Sequence, residues 1–192
     1  PKLLTTDVYN GTLRATMFGQ KSSTIGVETN NPKINEWDEG RGYTYLFHLK
    51  HDRVTGGDFS LTAADYQNWG AGITVTNAGS NIQINCTHQQ LGNQDYGNWD
   101  TGVAENTEII FAVSWDGVSG AAGRIIAAMA GVLDVGVLGT DFTTPTASTD
   151  NTRVATAPSD GWNKGVEGAI YAVAKWDRGM PLAELKELVN DA

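Results

Sequence analysis

The segments Asp65-Tyr66-Gln67-Asn68-Trp69-Gly70 and Asp95-Tyr96-Gly97-Asn98-Trp99-Asp100 share the pattern Asp-Tyr-x-Asn-Trp. Each sets a phenol, an amide and an indole within one short stretch. Phenol and indole faces stack on the apolar C–H face of a sugar ring, while Asn and Asp exchange hydrogen bonds with its hydroxyls. Ser159-Asp160-Gly161-Trp162-Asn163-Lys164 has the same character, and Asn35-Glu36-Trp37-Asp38 is a fourth segment of the kind. Read as loops, these segments nominate Tyr66, Asn68, Trp69, Tyr96, Asn98, Trp99 and Trp162 as a surface that binds a glycan or a protein partner. Both partners stay open, because aromatic side chains also close the ends of sandwiches and fill contacts between subunits.

Catalysis lacks its parts. Glycosidic hydrolysis needs two carboxylates that converge on one bond, and no strand-like stretch alternates acids in that way. Glu36, Asp38 and Glu39 fall in a loop with Trp37 and Gly40. Ser119 stands in Val-Ser-Gly and not in a Gly-x-Ser-x-Gly elbow, and no Gly-x-x-x-x-Gly-Lys-Ser/Thr phosphate loop occurs. Asp58, Asp95, Asp100, Asp116 and Asp160 are candidate calcium ligands by composition alone, and no Asp-x-Asp-x-Asp-Gly loop gathers them. Each reads first as a solvated turn acid. His48 and His51 have no third ligand near them, so zinc is not expected. Asn10-Gly11-Thr12 and Asn85-Cys86-Thr87 match the glycosylation sequon and, without a secretory route, are read as chance matches.

The elements that must hold these residues follow from the hydrophobic period. Tyr43, Tyr45, Phe47 and Leu49 share one strand face, with Thr44, His48 and Lys50 on the other. Ile73 and Val75, then Ile82, Ile84 and Cys86 after Asn77-Ala78-Gly79-Ser80, predict a hairpin. Ile109, Phe111, Val113 and Trp115 form another one-faced strand, which returns as Arg124 to Met129 after Asp116-Gly117 and a longer turn. Val132 to Leu138, Arg153 to Ala157 and Ala169 to Lys175 give further short strands, and Thr140 to Asp150 reads as a long surface loop. Only the C-terminus changes period. Leu182, Leu185, Leu188 and Val189 make a helical stripe over about 181–190, with Pro181 at the first helical position and Glu184, Lys186 and Glu187 solvated. The expected fold is all-β, a two-sheet antiparallel sandwich over residues 1–192 as one domain, closed by one short C-terminal helix.

The chain has 192 residues, with 13 Lys+Arg against 22 Asp+Glu and a formal charge of -9. Phosphate binding needs a basic face, so nucleic acid is not an expected partner. Cys86 is the only cysteine, which excludes an internal disulfide framework. The longest run poor in charge, Ile125 to Leu133, is about half the roughly 20 residues of a membrane helix, so no membrane partner is expected. Pro1-Lys2-Leu3-Leu4 lacks the charged and apolar regions of a signal peptide, which reads as synthesis in the cytoplasm.

Glu108 to Gly117, then Arg124 to Val132, then Gly168 to Leu185 with its Lys175-Trp176-Asp177-Arg178-Gly179-Met180-Pro181-Leu182 junction, resemble the closing strands of laminin-G-like domains of the concanavalin A-like lectin/glucanase superfamily. Ala130-Gly131-Val132 stands where that family commonly has Asn-Gly, and Met180-Pro181-Leu182 replaces its Leu-Ser helix cap. The resemblance covers about residues 105 to 190 and implies a jelly roll, with no cofactor expected beyond the Ca2+ that the superfamily often holds in its loops. The paired carboxylates of its glucanase branch and the Arg-Glu, Gln-x-His and Tyr strands of its lyase branch have no counterpart here. The expected function is therefore a non-catalytic virion surface protein of phage type, a capsid decoration or fibre, with glycan binding. Its expected partners are other virion subunits or further copies of itself, together with a cell-surface glycan. A free lectin-like carbohydrate-binding module is the alternative, and a polysaccharide hydrolase or lyase the lesser one.

Overall fold

Residues of alternating polarity can satisfy their backbone groups only by pairing with neighbouring strands, and a computed structural model of the chain shows how they do so. The structure describes residues 2–5, 8–9, 12–13, 16–18, 27–29, 40–51, 59–63, 71–90, 93–133, 136–140, 142, 152–154 and 168–192. The first sheet runs in the order β1 (Lys2–Thr5), β15 (Gly168–Trp176), β6 (Tyr43–His51), β11 (Glu108–Trp115), β12 (Arg124–Met129) and β13 (Gly136–Thr140), and β4 (Thr16–Phe18) also pairs with β15. The second runs β10 (Asn93–Ala104), β9 (Asn81–Gln90), β8 (Ala71–Ala78), β7 (Phe59–Ala63), β14 (Thr152–Val154) and β5 (Val27–Thr29). A ribbon of β2 (Val8–Tyr9) and β3 (Thr12–Leu13) stands apart from both. All these pairings are antiparallel.

The apolar faces meet between the sheets. On β6 and β11 the pairs Tyr43–Trp115, Tyr45–Val113, Phe47–Phe111 and Leu49–Ile109 lie directly opposite each other and are buried. The Phe47 and Phe111 rings stack at 5.1 Å. The second sheet supplies Ile73 and Val75 from β8 and Ile82, Ile84 and Cys86 from β9. The β8–β9 hairpin turns at Gly79-Ser80, where Gly79 takes the positive φ of 70° that its first central position requires.

A second apolar layer covers the outer side of the first sheet. Ala174, Leu46, Ala112 and Ala128 form one cross-strand row over β15, β6, β11 and β12, and α1 (Leu182–Asn190) lies on it through Leu185 and Val189, with Leu188 half-buried. Three alanines in that row let the helix approach closely. Above it, Ser114 Oγ accepts from the Met180 N–H at 2.7 Å and donates to Met180 O at 3.2 Å, while Thr44 Oγ1 donates to Arg178 O at 2.9 Å. These buried hydroxyls fix the junction from which the helix starts.

Several sequence expectations are corrected here. Pro181 is the N-cap, with an extended ψ of 160°, and the first helical position falls on Leu182. Leu182 is 41% exposed, so the docking stripe is Leu185, Leu188 and Val189. Glu184 is ion-paired with Arg178 and is not merely solvated. The strand expected from Val132 begins only at Gly136, because Gly131 at φ 75° and the Val132 N–H to Met129 O bond of 3.1 Å make residues 130–132 a turn. Phe142, placed by composition in a surface loop, is 1% exposed and packs in the core. The rest of that loop, from Thr143 to Asp150, lies outside the described residues.

Candidate functional site

The segment Asp95 to Asp100 is strand and not loop. It forms the middle of β10, in continuous antiparallel register with β9 from Asn93–Gln90 to Asp100–Gln83. Gly, Asn and Asp favour turns in isolation, but the β9 ladder satisfies their backbone groups and overrides that preference. Because the strand period is two, Tyr96, Asn98 and Asp100 share one face, and Asp95, Gly97 and Trp99 share the other.

The inner face meets the first sheet. A Cβ at Gly97 would coincide with the Leu138 carbonyl of β13, and a Cβ at Gly136 would run into the Trp99 ring. The edge strands β10 and β13 therefore close one side of the sandwich through two glycines. Trp99, expected in a binding loop, is half-buried against the core and belongs to this closure.

The outer face around Tyr96 carries mainly polar side chains. Register places Tyr96 beside Thr87 and Gly72, Asn98 beside Asn85 and Thr74, and Asp100 beside Gln83 and Thr76. The Tyr96 hydroxyl donates to Asn85 Oδ1 at 2.8 Å, although its direct neighbour on β9 is Thr87. The side chain must therefore lean diagonally over β9. One side of the ring lies toward the sheet while the residue as a whole stays 56% exposed. Asn85 Nδ2 in turn donates to Thr74 Oγ1 at 3.3 Å, and Asn85, Thr87 and Thr74 are buried at 1%, 4% and 9% exposure. The result is an aromatic platform pinned over the hydrogen-bonded Asn85 and Thr74 side chains, with Asn98 exposed beside it. Asn85 in the Asn85-Cys86-Thr87 sequon is thus buried. Its role, like that of Thr74 and Thr87, was hidden in the sequence, where the signal was only their alternation with Ile73, Ile84 and Cys86.

Tyr66, Asn68, Trp69 and Trp162 lie outside the described residues, as do Glu36, Trp37, Asp38, Glu39, Asp58, Asp160 and the side chain of His51. The remaining turn acids have structural partners. Asp100 Oδ1 accepts the Gly102 N–H at 3.1 Å, and Asp116 accepts from the Val118 and Arg124 N–H groups at 2.9 and 3.2 Å. His48 Nε2 is 2.7 Å from Glu108 Oε1. Among the described residues no three His, Cys, Asp or Glu side chains gather as metal ligands would. A separate cavity of about 370 Å³, with Val103, Ile110, Met129 and Val132 among its lining residues, shares no residue with the Tyr96 face.

The buried titratable groups lie in the core, away from that face. Burial pushes the Cys86 thiol up to about 12, and burial with the neighbouring Cys86 raises Tyr43 well above the ordinary phenol value. Tyr45 is raised by burial and then by Asp177.

No protein-family model and no curated protein sequence matches the chain. Solved structures do. The CBM40 carbohydrate-binding module of the IT-sialidase of Ruminococcus gnavus superposes with a TM-score of 0.65 at 11% identity, covering 92% of this chain and 96% of that one. That module also has a structure bound to α2,3-sialyllactose. A heptameric SAP-like pentraxin from Limulus polyphemus gives 0.56 at 12% identity over 78% of this chain and 70% of that one. Tailspike protein 2 of an Escherichia coli bacteriophage gives 0.53 at 10% identity, covering 81% of this chain and 23% of the tailspike. At these identities the likeness is one of fold alone, a two-sheet antiparallel jelly roll.

Proposed function

We propose that the protein is a non-catalytic glycan binder of the laminin-G-like branch, displayed on a virion surface as a capsid decoration or fibre and binding through the outer face of β8, β9 and β10. The observation that carries this reading is the Tyr96 ring, held over β9 by its bond to Asn85 and exposed to solvent beside Asn98. A pre-positioned ring loses little rotamer freedom when a sugar stacks on it, and the amides around it match hydroxyls as donors and acceptors. A non-catalytic role is supported by β10 itself. Its carboxylates, Asp95 and Asp100, point to opposite faces and cannot flank one bond. The virion setting is supported by the likeness to the tailspike and by the acidic surplus, which keeps a particle protein off packaged nucleic acid.

Retention on immobilised oligosaccharides tests the reading. Tyr96→Ala should weaken retention about tenfold, the loss of one aromatic contact of about 1–2 kcal/mol, and lower the denaturation midpoint modestly because Asn85 Oδ1 loses its donor, with the chain still folded. The same face could instead meet a neighbouring subunit. A wild-type chain that retains no sugar, and whose oligomer dissociates on Tyr96→Ala, would assign the platform to a protein contact.

A further inference from the structure

The three strands that carry the Tyr96 face contain no Lys or Arg. Their polar residues are Thr, Asn, Gln, Tyr and His88, with Asp95 and Asp100 as the only formal charges. His88 points into the core. Asp100 lies on the outer face with Tyr96 and Asn98 and is exposed. Its bond from the Gly102 N–H orients the carboxylate at the end of the polar rows. The cations whose side chains are described, Arg41, Lys50, Arg124, Lys175, Arg178 and Lys186, all belong to the first sheet, its turns or α1. Lys175 and Arg178 are moreover ion-paired with Asp177 and Glu184.

We infer that the Tyr96 face takes neutral glycans and rejects those bearing a carboxylate or sulfate, an inference that rests on reading the face as a glycan site. A neutral sugar offers hydroxyls, which the amides of Asn98 and its neighbours can meet in either sense. An anionic sugar on the same ring brings its charge toward Asp100 with no counter-charge from the strands beneath, and the chain's charge of -9 adds to the repulsion. This preference runs opposite to the sialylated ligand bound by one structural neighbour, because a shared fold does not carry the charges of a site.

The test uses two matched panels, neutral oligosaccharides of glucose, galactose, mannose and N-acetylglucosamine, and the same chains ending in a sialic acid, a uronic acid or a sulfated sugar. The expected result is Tyr96-dependent retention of a neutral member, with its anionic match at least about tenfold weaker at low salt. Asp100→Asn keeps the acceptor for Gly102 and should narrow that gap, as should added salt. An anionic member bound as tightly as its neutral match, and released by Tyr96→Ala, overturns the charge inference while the glycan reading stands. A gap unmoved by both Asp100→Asn and salt overturns it as well, by assigning the preference to shape. Retention of neither panel by the wild-type chain overturns the glycan reading and the inference with it.

Discussion

The Tyr43 hydroxyl on β6 lies 2.7 Å from His88 Nε2 on β9, a side-chain hydrogen bond that ties the two sheets together inside the core. Cys86 Sγ is 3.3 Å from the same hydroxyl, and Trp115 and Phe142 meet the His88 ring edge-on at 5.0 and 5.1 Å. Tyr43 and His88 are both 0% exposed. A buried imidazole is costly unless its nitrogens are satisfied, and the Tyr43 hydroxyl can serve it as donor or acceptor.

Tyr43→Phe keeps the ring and removes that partner. We expect a loss of about 1–3 kcal/mol, the cost of leaving a buried polar group short of a hydrogen bond. Equilibrium denaturation in urea measures it, and a midpoint equal to wild type would show that His88 is satisfied without the phenol.

Stability should fall in base. The folded state holds the Cys86 thiol protonated up to about 12, whereas the unfolded chain releases that proton near the ordinary value of 9.0. Between those values the folded state binds more protons, so its stability is full below 9.0 and declines as pH rises toward 12. Tyr43 and Tyr45 add losses of the same sign above 10.0. Denaturation midpoints taken across this range should drop steadily, and Cys86 should resist iodoacetamide at neutral pH until the chain unfolds. Rapid alkylation of the folded protein would contradict the burial that causes the shift.

Gly97→Ala should damage the closure of the sandwich. Its Cβ has no room beside the Leu138 carbonyl, and backbone atoms cannot rotate aside as a side-chain tip can. Overpacking of this kind typically costs about 1–3 kcal/mol. Gly102→Ala is not a fair control, because Gly102 has a φ of 68° that strains any side chain. Asn98→Ala, on the open outer face, should stay within about 0.5 kcal/mol and serves as the comparison.

The terminal helix separates two leucines of the same sequence stripe. Leu185 is 0% exposed in the layer above Ala112 and Ala128, while Leu182 is 41% exposed. Leu185→Ala should cost about 2–4 kcal/mol through the cavity it leaves, and Leu182→Ala well under 1. Equal effects from the two would mean that the helix docks in another rotation.

The sequence by itself determined the strands of the core. Alternation of apolar residues over 43–49, 73–86 and 109–115 set both the period and the face, because a one-residue slip would turn every core side chain to water. The Gly79-Ser80 turn, the Asp116-Gly117 turn and the change to a helical period at Leu182 were legible for the same local reason. Partners distant along the chain were not. Tyr96 meeting Asn85, Gly97 meeting the Leu138 carbonyl and Phe142 entering the core all depend on which strands the sheets bring side by side, and period carries no information about that. In the sequence the Asp-Tyr-Gly-Asn-Trp segment reads as a loop because its residues favour turns when unpaired. Only pairing with β9 made it a strand, turned Trp99 inward to the closure and left Tyr96 outside on the polar face, since a strand sends neighbouring side chains to opposite sides.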